Sequence, residues 1–266
     1  MIIIGEKING TIPSVGKAIA AKDADFIRNL AKIQAEASDY IDVCASVEND
    51  IELETLKWLI DLVQEVTDKP IAIDSPNAQT CVDAMKFCNK PGLINSVSLE
   101  GNKIDIVFPV IADTKWEIVA LLCDDKGIPN DTERRLEVFE GIMKKAKEYN
   151  IDPSRLHIDP LVQMLATSED GILSVMECTK KIKEMYPTIH VTGGASNISF
   201  NLPVRRLVNQ AFIVLSMSAG MDSAIVDPTK EDLMGMIYAT EALHGMDEYC
   251  MEYIGAYREG KFGQKK

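Results

Sequence analysis

No two of the six cysteines (Cys44, Cys81, Cys88, Cys123, Cys178 and Cys250) stand in a CxxC spacing. The three histidines, His157, His190 and His244, are far apart and form no HxxxH-type pair. No metal site is therefore indicated, and the thiols are expected to be reduced, as in a cytoplasmic protein. No basic cluster exceeds Lys144–Lys145 or the terminal Lys265–Lys266, and the formal net charge is −13. Nucleic acid is not an expected partner, because phosphate binding needs a basic face. No apolar run is long enough to span a bilayer, and the opening MIIIGEKING lacks a basic segment followed by a long apolar one. Neither a membrane span nor a signal peptide is expected. Internal repeats, low-complexity stretches and linker-like segments are also missing, so one domain over residues 1–266 is expected.

What remains is a globular composition of 266 residues, 46% hydrophobic and 26% charged. Such a chain can bury a large core without staples. Short β-branched runs alternate with longer amphipathic stretches. Eight runs read as strands: Ile2–Ile8, Tyr40–Ala45, Pro70–Ser75, Gly92–Val97, Glu117–Cys123, Leu156–Leu161, Ile189–Ala195 and Met221–Val226. Each is apolar for a few residues and then ends in polar residues or glycine, as parallel strands covered on both faces do.

The spacing predicts helices over Asp25–Ala37, Ile51–Val66, Asp131–Tyr149, Gly171–Met185, Pro203–Ala219 and Glu231–Leu243. Asn130 with Glu133 suggests a capping box, and Ser168 a second cap. Eight strand-then-helix units in this length favour a single-domain α/β chain folded as a (β/α)8 TIM barrel. An open doubly wound sheet would carry a GxGxxG turn after its first strand, and GEKING does not have that spacing.

A barrel puts function on the loops after its strands. Those positions hold Glu6, Lys7 and Asn9, then Asp42, Asp74, Asn95, Asp159, and finally Ser196 and Asn197. This rim is rich in carboxylates and amides, poor in cations, and without an obvious nucleophile. It suits a neutral heterocycle with several N–H donors, since a carboxylate accepts two parallel hydrogen bonds from an amino-pyrimidinone edge. A lone aspartate at a strand end serves equally well as a helix cap, and only the gathering of four such residues on one rim favours recognition. Lys7 fits an ion pair better than a Schiff base. TGGAS has the glycine pair of a phosphate cradle, although so short a motif is common. Cys44 and Cys123 read as packing residues and the methionines as core filler.

At Ser196-Asn197-Ile198-Ser199-Phe200, followed by Leu202-Pro203 and Arg205, the chain resembles the pterin-binding methyltransferases that act on methyltetrahydrofolate. IIIGEKING, IAIDS, LINS and HIDPL extend the resemblance over nearly the whole length. It implies a free-standing methyltetrahydrofolate:corrinoid protein methyltransferase, of the kind found in acetogens and in glycine betaine demethylation. A methionine synthase would need further domains. Tetrahydrofolate or 5-methyltetrahydrofolate would be the substrate, a corrinoid (cobalamin) on a separate protein the partner, and a homodimer the usual assembly.

The resemblance further implies that Asp74, Asn95 and Asp159 hold the pterin, with Ser196 in the same motif. Asn197 reaches N5, and Arg205 is a cation at the folate entrance. The chain departs from many relatives at Cys44, where asparagine is common, at Asn201, where glycine is common, and at Phe200, where acetogen-type relatives have a polar residue. Asn197 cannot supply a proton, so a proton through water is expected, with Asn197 as electrostatic stabiliser. The rival readings are a dihydropteroate synthase, a lyase or aldolase using Lys7, and a non-catalytic folate-binding subunit.

Overall fold

The computed structural model describes residues 1–263, so Lys265–Lys266 lies outside the described residues. The chain runs β1 (Ile2–Asn9), α1 (Pro13–Ala20), α2 (Ala24–Ala35), β2 (Tyr40–Cys44), α3 (Asn49–Gln64), β3 (Ile71–Asp74), α4 (Ala78–Ala84), β4 (Leu93–Leu99) and α5 (Lys103–Ile111). It continues through β5 (Glu117–Asp124), α6 (Thr132–Glu148), β6 (Leu156–Asp159), α7 (Leu173–Met185), β7 (His190–Val191), α8 (Arg205–Ser218), β8 (Ser223–Val226), α9 (Glu231–Leu243) and α10 (Met251–Arg258).

The eight strands are parallel and follow the order β7-β6-β5-β4-β3-β2-β1-β8. The ring closes between β7 and β8. Ile225 N donates to Gly193 O at 3.1 Å, and Ala195 N donates to Ile225 O at 3.2 Å. This is the expected (β/α)8 barrel.

Strand side chains alternate. Outward residues such as Ile41, Val43, Ile73, Ile94, Ile118 and Ile158 are fully buried beneath the helices. Inward residues form three layers. The middle layer is apolar: Ile4, Ala72, Leu93 and Val119 pack together with no exposure, and Ile225 lies against them. Below it, at the strand starts, the side chains are polar and hydrogen-bonded to one another. His157 lies between Glu117 Oε2 and Ser223 Oγ, at 2.9 Å from each. Tyr40 donates to the same Glu117 oxygen, and His190 stacks on His157 at 4.8 Å. On six of the strands, two residues beyond an inward residue of these layers (Ile4, Tyr40, Ala72, Leu93, His157 and Ile225), come Glu6, Asp42, Asp74, Asn95, Asp159 and Asp227. The same alternation that fills the barrel therefore delivers its polar mouth.

Local details differ from the pattern reading. Asp131, not Asn130, caps α6 and accepts from Arg134 N. The turn before α7 is held by Asp170, which accepts from Ser174 N, and Ser168 bonds to Asp170 instead. Helices α1, α4, α5 and α10 were not expected. α4 has only seven residues and α5 carries Pro109, so neither shows a long periodic stripe. β7 is two residues long, because Gly193 and Gly194 leave the regular ladder while still bonding to β8.

Candidate functional site

The first strand carries the least regular element of the mouth. Its pairing with β2 shifts register between Gly5 and Ile8. Ile4 faces the barrel interior and Ile8 the helical layer, so Glu6 and Lys7 share the bulge between them. Gln34 on α2 holds the bulge by accepting from Lys7 N at 2.8 Å. Gly5 is needed there, since a Cβ would stand 2.6 Å from Ser38 Oγ and 2.9 Å from Gln34 Oε1. The Lys7 ammonium pairs with Asp227 at the end of β8, at 3.2 Å. Lys7 is thus an ion-pair partner, as its position suggested.

Asp42, Asp74 and Asn95 form a second group. Asn95 Nδ2 donates to Asp42 Oδ1 at 3.1 Å, which commits the amide nitrogen and leaves the oxygen as an acceptor. Asp42 is buried, and burial, with Asp74 and Glu6 adding their charge, raises its carboxyl well above the usual range. Burial also raises Asp74 to about 6, with the Cys44 thiol opposing and Glu52 adding to the rise. Cys44 is buried, and its sulfur lies 3.1 Å from Ser46 Oγ. Burial and the Asp74 charge push its thiol up, which makes it a packing residue rather than a nucleophile.

Asp159 stands opposite, at the end of β6. Its Oδ1 accepts from Leu161 N at 2.8 Å, and burial raises the carboxyl to about 6 against that bond. Behind it, a Cβ on Gly193 would come to ordinary contact with Asp159 Oδ1, at 3.8 Å, and closer to Met221 Cε, at 3.3 Å.

Asn197 opens a 3-10 turn after β7 and is exposed. Its side chain folds against Gly194, where a Cβ would lie 3.0 Å from Asn197 Nδ2. Arg205 ties this loop to α8, donating from Nη2 to Ser196 O at 2.7 Å and from Nε to Ser199 Oγ at 2.9 Å. Its guanidinium also stands 5.0 Å from the Phe200 ring centre. Asn201 has φ +62°. Glycine suits that left-handed position and asparagine tolerates it best among the other residues, which accounts for the exchange noted in the sequence.

A cavity of about 630 Å³ opens between β8, α8 and α9, lined by Glu6, Ser196, Arg205, Asn209, Asp227 and Lys230. Of the sequence-selected residues it takes in Ser196 and Arg205. Asp74, Asn95 and Asp159 come together in the barrel mouth beside it. Pattern reading placed Glu6 and Asp42 on the rim without assigning them a part, and it passed over Asp227. Counting two residues outward from the inward positions Ile4, Tyr40 and Ile225 would have selected all three. Among the described residues no group of three or more His, Cys, Asp or Glu side chains is arranged to hold a metal ion. Among them, too, no helix is long and apolar enough to cross a membrane.

Comparison with known proteins agrees with this geometry. Solved structures of dihydropteroate synthase share the fold at low identity. One from Yersinia pestis has a TM-score of 0.65 at 15% identity, covering 92% of this chain and 94% of that one. One from Xanthomonas albilineans has 0.63 at 18%, covering 93% of each. Methionine synthase of Mycobacterium leprae is 27% identical over 86% of this chain but only 20% of its own length. A methylcorrinoid:tetrahydrofolate methyltransferase of Eubacterium limosum is 52% identical over 99% of this chain and 98% of its own. The model of the family described as pterin binding enzyme matches residues 9–227. With that match and a full-length relative at such identity, the chain belongs to the pterin-binding enzyme family.

Proposed function

We propose that this protein moves a methyl group between N5 of tetrahydrofolate and the cobalt of a corrinoid carried by a separate protein. The 52% identity across both whole chains to the Eubacterium limosum methyltransferase carries this reading. The mouth supports it chemically. Asp74, Asn95 and Asp159 present two carboxylates and an amide to a ring rich in N–H groups, and a ligand without those donors would leave buried acceptors unpaired.

In this reading Asp74, Asn95 and Asp159 hold the pterin, and Ser196 and Arg205 shape the entrance for the rest of the folate. Asn197 faces N5. Attack of N5 on a cobalt-bound methyl leaves positive charge on nitrogen. The reverse reaction asks a poor amine leaving group to depart. In both directions a positioned amide and a proton path lower the barrier. The corrinoid protein docks over the open mouth.

A homodimer fits the exposed apolar residues on the α8–α10 side, among them Leu207, Leu215, Leu243 and Met251. Sedimentation of the purified protein tests it. The six unpaired cysteines suit the reducing cytoplasm.

The deciding experiment mixes the protein with tetrahydrofolate and methylcobalamin, then with methyltetrahydrofolate and cob(I)alamin, and follows the corrinoid spectrum. Methyl transfer in either mixture is the expected result. Folate binding without transfer in either would leave a binding subunit, and release of pyrophosphate from a pterin pyrophosphate would point to a dihydropteroate synthase.

A further inference from the structure

Proton exchange at N5 needs a group that the residues named so far do not provide. Asn197 has no proton to give, and most rim carboxylates are engaged. Asp42 accepts from Asn95, Asp159 accepts from Leu161 N, and Asp227 takes Lys7 together with Thr229 N and Oγ1. Glu6 is different. Among the described residues neither of its carboxylate oxygens has a hydrogen-bond partner, although the side chain lies in the half-buried wall of the cavity.

Its position follows from the bulge in β1. In a regular strand one of Glu6 and Lys7 would face the helices. With the register shift before Ile8 both face the mouth, and Lys7 is drawn aside to Asp227. Glu6 is left facing the cavity that Ala195 and Ser196 also line, immediately before Asn197. The topology makes this proximity firm. β1 pairs with β8 through Gly5–Val226, and β8 bridges Gly194 through Ile225. Glu6 and the loop bearing Asn197 therefore flank the end of one strand.

We infer that Glu6 is the group that exchanges the proton of folate N5 during methyl transfer. This rests on the methyltransferase reading above. In the direction toward folate, the N5 lone pair forms the N5–methyl bond and the cobalt–methyl bond breaks. The electron pair of that bond stays on the metal, giving cobalt(I). The proton carried by N5 passes to the Glu6 carboxylate, directly or through one water, and then to solvent. In reverse, protonated Glu6 returns it as N5 leaves the methyl.

The charges around Glu6 suit an exchanging group. Burial is the main influence, Asp227 adds to it, and Lys7 and Arg205 oppose both, so the carboxyl is raised to about 7. Asp42 faces it from β2. Farther around the cavity are Lys230 and the pair Arg206–Asp232.

The test uses the whole protein with tetrahydrofolate and methylcobalamin. Wild-type kcat toward folate should fall as pH drops below about 7, because protonated Glu6 can no longer accept a proton. Glu6→Gln should lower kcat by about 10²-fold, keep the folate dissociation constant within about threefold, and abolish that acidic limb. Glu6→Asp should recover part of kcat and show the limb again. Wild-type kcat in Glu6→Gln, or a loss confined to folate affinity, would overturn the assignment while leaving the methyltransferase reading intact. Should Glu6→Gln not fold, a wild-type profile flat from pH 5.5 to 9 would overturn it equally. A wild type that binds folate and never transfers methyl would remove both.

Discussion

Asn95 and Asp42 meet across the barrel interior, Nδ2 to Oδ1 at 3.1 Å, although their strands are separated by β3. On β3 the register sets the fully buried Ala72 beside Asp42 and Asp74 beside Asn95. The bond fixes which face of the Asn95 amide is free.

Asn197→Ala is expected to separate turnover from binding. If the amide acts on charge changing at N5, as one oxyanion-hole donor acts on its oxyanion, kcat should fall by about 10²-fold while folate affinity changes little. Single-turnover kinetics with equilibrium folate titration check this. Parallel losses in both would make Asn197 a binding group only.

Folate affinity should depend on pH through Asp74 and Asp159, each raised to about 6 by burial. Each accepts hydrogen bonds from the ring when ionised and loses that capacity when protonated. Lowering pH from 7.5 to 5 should weaken binding by about tenfold for each of the two carboxylates that must give up its proton. Calorimetric titration at the two values measures it. Asp159→Ala should lose most of the affinity at both, and unchanged binding would remove it from the site.

The empty protein should gain stability on mild acidification. Unfolded aspartates titrate near 4, below the folded values of Asp74 and Asp159, so between those limits the folded state binds more protons. Glu6, raised to about 7, acts in the same sense. His157 opposes them, because burial lowers its folded value against the pull of Glu117. Below about pH 4 a different group takes over. Burial works to raise Asp222, but bonds from His190, Val191 N and Lys183 outweigh it and hold the carboxyl at about 2. The stability it lends is present above its unfolded value and is lost as pH falls toward 2. The melting temperature should therefore rise from pH 7 to about 5 and then drop. Asp159→Asn should flatten the rise, and an unchanged profile in that variant would refute the account.

The polar layer beneath the apolar one predicts a purely structural effect. His157→Ala removes a fully buried ring, takes one of two side-chain partners from Glu117 and leaves Ser223 Oγ without one. A cost of about 3 kcal/mol is expected in denaturant unfolding, with kcat of the folded fraction unchanged. A large loss of kcat in the folded fraction would mean that the two polar layers communicate through Ile4, Leu93 and Val119.

All eight strands could be located from the residues alone, because each is a short apolar run that stops in polar residues or glycine, although α5 and α8 contain apolar runs as long. Six helices were equally visible from their periodic stripes. The four that were not include α4 and α5, which are short or interrupted by proline. Caps were placed one residue off at Asp131 and two residues off at Asp170, since Asn, Asp and Ser are interchangeable as caps and only backbone geometry chooses among them.

Asp74, Asn95 and Asp159 were legible because each ends an apolar run, and Asn197 because of the motif around it. Composition and pattern by themselves determined a parallel barrel with a mouth of carboxylates and amides. Only the tertiary structure decided how those groups divide. The bulge in β1 turns both Glu6 and Lys7 inward, Asp227 takes the lysine, and Asn95 takes Asp42. Each of these depends on contacts between residues distant in the chain, and local patterns carry no information about which partner a buried charge will find.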